Sequence, residues 1–191
     1  MRKVVVSEFL SLDGVMEAPD QWHFSFWHEA MGKYKYDELF ASDALLLGRV
    51  TYEGFAAVWP SIIDEQGFAD RMNGLPKHVA STTLGEVGWN NSHLIKGDVA
   101  AAVSEMKRQA GQDILIGGSA ELVNSLMPHD VIDEYRLMVH PIVVGHGKRL
   151  FGEGSAATAL KLIETKPLGP DVVVLIYQSV RLTGARGSDE R

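Results

Sequence analysis

Cysteine is absent from the whole chain, which excludes a disulfide-stapled fold and every thiolate-based metal or redox site. Positive charge is scarce as well: 18 Lys and Arg stand against 25 Asp and Glu, leaving a net charge of −7. With no clustered cations, nucleic acid is not an expected partner, whereas a small anionic ligand needs only a local cationic pocket. No apolar run approaches membrane-spanning length, and Met1-Arg-Lys leads straight into Val4-Val-Val6, too short for the core of a secretion signal. A cytoplasmic chain with no membrane partner is expected. The seven histidines form no compact ligand set of the His-Glu-x-x-His kind, so no metal is expected. A Gly-x-Ser-x-Gly elbow is also missing, which removes the common serine-hydrolase reading.

What the chain does contain is organised around Asp113-Ile-Leu-Ile-Gly-Gly-Ser-Ala-Glu-Leu-Val-Asn-Ser-Leu-Met127. Three apolar residues, Ile114 to Ile116, fit a short strand covered on both faces, which stops at Gly117-Gly118. Ser119 is a good N-cap, and Leu122, Val123, Leu126 and Met127 recur at helical spacing before Pro128. Such a strand-turn-helix junction lets backbone approach a ligand closely and presents free N–H groups to an anion. The same glycines also suit a plain tight turn, and alone they decide nothing.

Other strands are expected at Val4 to Leu10, Ala44 to Leu47, Lys77 to Ala80 and His93 to Ile95. Ser25 is read as the cap of a helix with Phe26, Trp27, Ala30, Met31 and Tyr34 on its apolar face, continuing towards Phe40. Thr51 is read as the cap of a short helix, and Asp98 as the cap of a longer one stopped by Gly111. Ile132 to Val144 is a long strand interrupted by Pro141, which suggests an edge or a bend. Leu160 to Thr165 and Val172 to Val180 suit a hairpin. The pattern predicts an α/β fold, with a mainly parallel sheet between helices and antiparallel strands at the C-terminal side. One domain over residues 1–182 is expected, followed by a flexible tail over 183–191.

Ligands of such sheets bind beyond the carboxyl ends of the strands, and three of these ends carry groups suited to phosphate. They are Gly48-Arg49 with Thr51, Ser81-Thr82, and Gly117-Gly118-Ser119 leading into Ala120 and Glu121. Each has an ordinary structural explanation, but one dinucleotide lying across the sheet would use all three. Glu8, near the end of the first strand, is the candidate proton donor, because partial burial would keep its carboxyl protonated. Asp13, beside Gly14, is a second candidate, although Asp-Gly is common turn chemistry. Trp22, His23 and Trp27 are candidate walls of a substrate pocket.

Gly48-Arg-Val-Thr51, Ser81-Thr82 and Ile116-Gly-Gly118 resemble the NADPH-binding signature of the dihydrofolate reductase fold. Ser11-Leu-Asp-Gly14 and the stretch from Val131 through His140-Pro-Ile-Val-Val-Gly-His-Gly-Lys-Arg-Leu-Phe151 are closer to the reductase domain of the riboflavin-biosynthesis deaminase-reductase. The resemblance implies a dihydrofolate reductase-like three-layer sandwich and NADPH as cofactor. It further implies a small pyrimidine-type substrate, a homodimer joined through the late strands, and Leu12, Gly14 and Ile116 among the cofactor contacts. In those reductases a basic residue stands four positions before the Ser-Leu-Asp-Gly stretch and a Glu precedes the two glycines, where this chain has Ser7 and Ile116. In the dihydrofolate reductases an acid in the first long helix serves the pterin, and Glu29, Asp37 and Glu38 lie in the corresponding region. A pterin or folate reductase, and a non-catalytic protein that keeps only the nucleotide cleft, are the alternatives.

Overall fold

The computed structural model describes residues 1–155 and 157–180, so the expected tail over 183–191 lies outside the described residues. Eight strands form one sheet: β1 (Val4–Ser11), β2 (Ser42–Gly48), β3 (Lys77–Ala80), β4 (Ser92–Ile95), β5 (Asp113–Gly117), β6 (Glu134–His140), β7 (Leu160–Leu168) and β8 (Val172–Ser179). Their order is β4-β3-β2-β5-β1-β6-β8-β7. The first six run parallel, and β8 and β7 pair antiparallel beyond β6. The helices are α1 (Glu29–Phe40), α2 (Arg49–Val58), α3 (Phe68–Gly74), α4 (Val99–Arg108) and α5 (Ala120–Leu126).

Alternation along β1 assigns the layers. Val4 and Val6 pack with Leu46, Ile114 and Ile116 against Val103 and Met106 of α4 and Leu122, Val123 and Leu126 of α5. Val5 turns the other way, joining Leu45, Leu47 and Leu115 against Leu39 of α1, Tyr52 of α2 and Met72 of α3. Two helical layers therefore enclose a sheet whose central strands are apolar on both faces, as a buried parallel sheet requires. Among the described residues no helix is long and apolar enough to cross a membrane.

Four local expectations are corrected. Helix α1 begins at Glu29 rather than after Ser25, which lies in a 3-10 turn over His23–Phe26. His28 is the N-cap residue, extended, with its ring Nε2 at 2.8 Å from the Leu168 carbonyl oxygen, so the helix start is fixed by a tertiary contact. Helix α2 begins at Arg49 with Gly48 as N-cap, leaving Thr51 inside the first turn. Ser119 does precede α5, but in a left-handed conformation without capping it through its side chain. Strand β6 is interior, between β1 and β8, and ends at His140 because Pro141 cannot extend a ladder. The Asp98 cap of α4 is as expected, its carboxylate accepting from Ala101 N–H at 3.0 Å. Pro167 lies within β7, where the open edge of the sheet tolerates it.

Candidate active site

The carboxyl ends of β1 to β5 open into a single cleft of about 1610 Å³. That exceeds the roughly 300–1,000 Å³ of an ordinary small-molecule pocket. Two junctions form its inner wall. At the β5–α5 turn Gly118 has φ +64°, and a Cβ there would stand 2.8 Å from Thr51 Oγ1, so only glycine fits without displacing α2. Ser119 Oγ accepts from Gly48 N–H and donates to Thr51 Oγ1, both at 2.9 Å. The hydroxyl expected to cap α5 thus ties the β2–α2 junction to the β5–α5 junction. Gly117 has no atom within 4 Å of its missing Cβ, which leaves open space beside the cleft wall.

Gly48, Arg49, Thr51, Ser81, Thr82, Gly117, Gly118, Ser119, Ala120 and Glu121 all line this cleft. The N-cap Gly48 makes no side-chain cap to α2, so the first turn of that helix keeps free N–H groups. Arg49 pairs with Glu53 at 2.9 Å through Nη1 only, on an exposed face where such a pair is weak. Lys96 and Lys148 add positive charge to the lining, although Lys148 is paired with Glu121 at 2.6 Å. Ile116 is fully buried in the core below α5 and offers the cleft no side chain.

Glu8 lines the cleft. It is 4% exposed; Oε2 accepts from Gly118 N–H at 3.0 Å, and Oε1 is buried with no hydrogen-bond partner. Loss of hydration pushes its pKa up to about 8, against the opposing pull of the Lys35 ammonium and the Gly118 N–H, with Glu38 adding to the rise. At neutral pH this is mostly a carboxylic acid with an O–H to give.

Asp13 is placed differently. Its carboxylate accepts from Ser11 Oγ at 2.7 Å and from the N–H groups of Val144 and Gly145 at 3.0 and 2.9 Å, while Arg149 Nε donates to its carbonyl at 2.8 Å. The Ser11 hydroxyl and these N–H groups hold its pKa down at about 2. It is a permanently ionised clasp between two loops and does not line the cleft, which argues against an acid role. Leu12 and Gly14 share that loop and are likewise off the cleft wall; Met16, Glu17, Ala18 and Pro19 form it instead.

Of the aromatic candidates, His23 and Trp27 line the cleft together with Phe24, which sequence reasoning did not single out. His23 stacks on Phe9 at 4.7 Å, and burial, reinforced by nearby His140, lowers its pKa to about 4, so it is neutral. Trp22 lies beneath, buried, donating its indole N–H to the Glu17 carbonyl at 3.1 Å. It supports the wall without facing the cleft. Glu29 is exposed and Asp37 is paired with Lys33, so neither reaches the cleft, whereas Glu38 lines it as part of a buried ion network.

Comparison with known proteins agrees with this architecture. The family model described as the RibD C-terminal domain matches residues 2–174. The uncharacterized proteins YwjB and YyaP of Bacillus subtilis are 32% and 27% identical, covering 90% and 92% of this chain and 95% and 94% of their own. A pyrimidine reductase-like protein of Corynebacterium diphtheriae superimposes with TM-score 0.68 at 12% identity, over 94% of this chain and 92% of the other. The riboflavin biosynthesis reductase Rib7 of Saccharomyces cerevisiae gives 0.63 at 13%, over 94% and 90%. The dihydrofolate reductase of Enterococcus faecalis gives 0.56 at 14%, over 93% and 96%. The fold is that of the dihydrofolate reductases, as the motifs implied, and the chain belongs to the RibD C-terminal domain family.

Proposed function

We propose that the protein is an NADPH-dependent reductase acting on a small pyrimidine-type or related heterocyclic compound. The observation that carries this reading is that three separate strand ends, at Gly48-Arg49, Ser81-Thr82 and Gly117-Gly118, line one cleft together with a buried, protonatable carboxyl, that of Glu8. The glycine cradle, the uncapped start of α2 and the neighbouring Arg49 suit a phosphorylated nucleotide in shape and charge. Arg49 is the contact we assign to the 2′-phosphate that distinguishes NADPH from NADH.

When bound, NADPH would supply a hydride to the carbon of a C=N or C=O group and leave oxidised. The chain's own part is to align the two molecules, exclude water and deliver the proton. Glu8 gives its O–H proton to the substrate nitrogen or oxygen as the carbon is reduced, and recovers one from solvent afterwards. A well-positioned acid contributes roughly 10²–10⁴-fold to such a step. His23, Phe24 and Trp27 provide flat apolar surface for the heterocycle.

We further propose a homodimer joined along β7, the outermost strand, whose open edge displays Leu162 and Ile163 about half exposed. Light scattering that finds only monomer over a wide concentration range would remove this part.

Spectrophotometric NADPH oxidation against a panel of aminopyrimidines and pterins tests the activity itself. Turnover with an aminopyrimidine supports the reading; turnover confined to pterins would favour a pterin reductase; binding of NADPH with no oxidation by any of them would favour a nucleotide-binding protein without catalysis.

A further inference from the structure

The strand ends assigned to the nucleotide leave one branch of the cleft wall unused. Helices α1 and α2 both pack on β2, and between them the lining reaches down to Leu45 and Leu47 of the sheet. The walls of this branch are Tyr36 and Leu39 of α1, Phe55 of α2, Trp59 and Ile62 just beyond it, and Phe68 of α3. The Phe55 and Trp59 rings meet edge to face at 6.4 Å, and Trp59 and Phe68 stand 5.4 Å apart. All three are only partly buried, and Ile62 is 37% exposed. Apolar rings left facing a concave space, rather than closed against one another, are what a pocket for an apolar group consists of.

The charges around the branch exclude an acid there. Arg49, Lys96 and Lys148 belong to the nucleotide side, at the ends of β2 and β4 and against Glu121 of α5. On the α1 side the cation is Lys35, which pairs with Glu38 and donates to Ser7 Oγ at 2.8 Å. Glu38 in turn belongs to a buried row. Arg136 lies 3.4 Å from Glu38, 2.7 Å from Glu134 and 3.8 Å from Asp113, and Lys3 lies 3.3 Å from Glu134. Lys3, Lys35 and Arg136 are thus answered by Glu38, Asp113 and Glu134, and Glu8 is largely uncharged at neutral pH. Along the branch itself the ionised group is Asp64, whose carboxylate accepts from the N–H groups of Gln66 and Phe68 at 3.0 Å and of Ala69 at 2.6 Å. The Ala69 and Phe68 N–H groups hold its pKa below the usual carboxylate range. A phosphate or carboxylate entering the branch would meet an anion and no free cation.

We propose that this branch takes an uncharged apolar arm of the substrate, a ring of about benzyl size attached to the heterocycle and carrying neither phosphate nor carboxylate. The arm lies between α1 and α2, against Tyr36, Leu39, Phe55, Trp59 and Phe68. The assignment rests on the reductase reading for the place of the heterocycle beside Glu8, His23 and Trp27, and deepens it by naming what is attached.

The test titrates 6-aminouracil and its N-benzyl and N-(4-carboxybenzyl) derivatives calorimetrically into the protein, with and without saturating NADPH. Burial of an apolar ring predicts that the benzyl compound binds about tenfold or more tightly than the parent. The added carboxylate should cancel most of that gain, because it would be buried beside Asp64 without a cation to meet it. Trp59→Ala should cut the benzyl gain to about threefold or less. Ile62→Asp, at an exposed position whose change does not threaten the fold, should weaken both derivatives and leave 6-aminouracil unchanged. A benzyl compound no tighter than the parent, a carboxybenzyl compound as tight as the benzyl one, or a gain that survives both substitutions would overturn the proposal. A benzyl gain in a chain that neither binds nor oxidises NADPH would keep the branch assigned and sink the reductase reading. NADPH oxidation without any benzyl gain would do the reverse.

Discussion

The two halves of the cleft are built on opposite principles. The half formed by the ends of β2, β3 and β5 is made of backbone: glycines at 48, 117 and 118, an uncapped helix start and one Ser-Thr tie. The half formed by β1 and α1 is made of side chains: the largely uncharged Glu8, the ion-paired Lys35 and Glu38 and, behind them, Arg136 and Glu134. A backbone cradle binds anything with phosphate and discriminates little. A row of matched buried charges holds one arrangement only, because any unpaired member is expensive to bury. On the proposed reading, cofactor binding belongs to the first half, and substrate choice and proton delivery to the second.

The comparison breaks most sharply at Glu8. Glu8→Gln keeps an oxygen to accept from Gly118 N–H but has no acidic proton, so turnover should fall by about 10²–10⁴-fold with NADPH affinity nearly unchanged. Burial holds the folded carboxyl protonated up to about pH 8 while the unfolded one ionises near 4.5. Stability linked to this group is therefore fully present below 4.5 and is lost as pH rises through 8. The Gln variant should lack that loss and melt no lower than wild type at pH 8. Wild-type turnover should likewise decline as pH passes about 8. An active Gln variant would move the proton source elsewhere.

Next in size is Arg136→Met, which strips Glu38 and Glu134 of a shared partner far from the nucleotide half. Breaking a buried pair costs on the order of 3–5 kcal/mol, and at roughly 2–4 °C per kcal/mol the melting point should drop by roughly 6–20 °C. A change under a degree or two would mean the row is not energetically coupled. Gly118→Ala attacks the other half. With φ at +64° and Thr51 in the way, it should cost about 1–3 kcal/mol in stability and weaken NADPH binding. The smallest effect is expected for Arg49→Ala: about a tenfold loss of the NADPH over NADH preference, read from the two dissociation constants, with little change in melting point. An unchanged ratio would place the 2′-phosphate contact on another residue.

This division also explains what could be read from the sequence. Close approach of backbone demands glycine, so Gly48 and Gly117-Gly118 stand out in short local motifs, and the motif-level resemblance to the dihydrofolate reductase fold and the riboflavin reductases holds. The charged row brings together residues 7, 35, 38, 134 and 136, from two strands and a helix; Lys35–Glu38 and Glu134–Arg136 are local pairs, but no local pattern links one pair to the other or to Ser7. One signal was available: Ser7 and Glu8 interrupt an apolar run in a strand that turns out to be central, and polar groups buried there must find partners. Capping assignments for Ser25 and Thr51 failed because tertiary contacts, His28 to Leu168 and Ser119 to Thr51, took over those junctions. Asp13, read as a second acid, and Trp22, read as a pocket wall, do not line the cleft; the structure uses them to hold its loops and walls.

The most direct measurement is a thermal melt of wild type and Gly118→Ala side by side, with and without NADPH. At about 100 times the dissociation constant, NADPH should add about 2.7 kcal/mol, raising the wild-type midpoint by roughly 5–11 °C. The same concentration should raise that of the variant much less. No shift for wild type, or an equal shift for both, would contradict the claim that these strand ends form a nucleotide cleft.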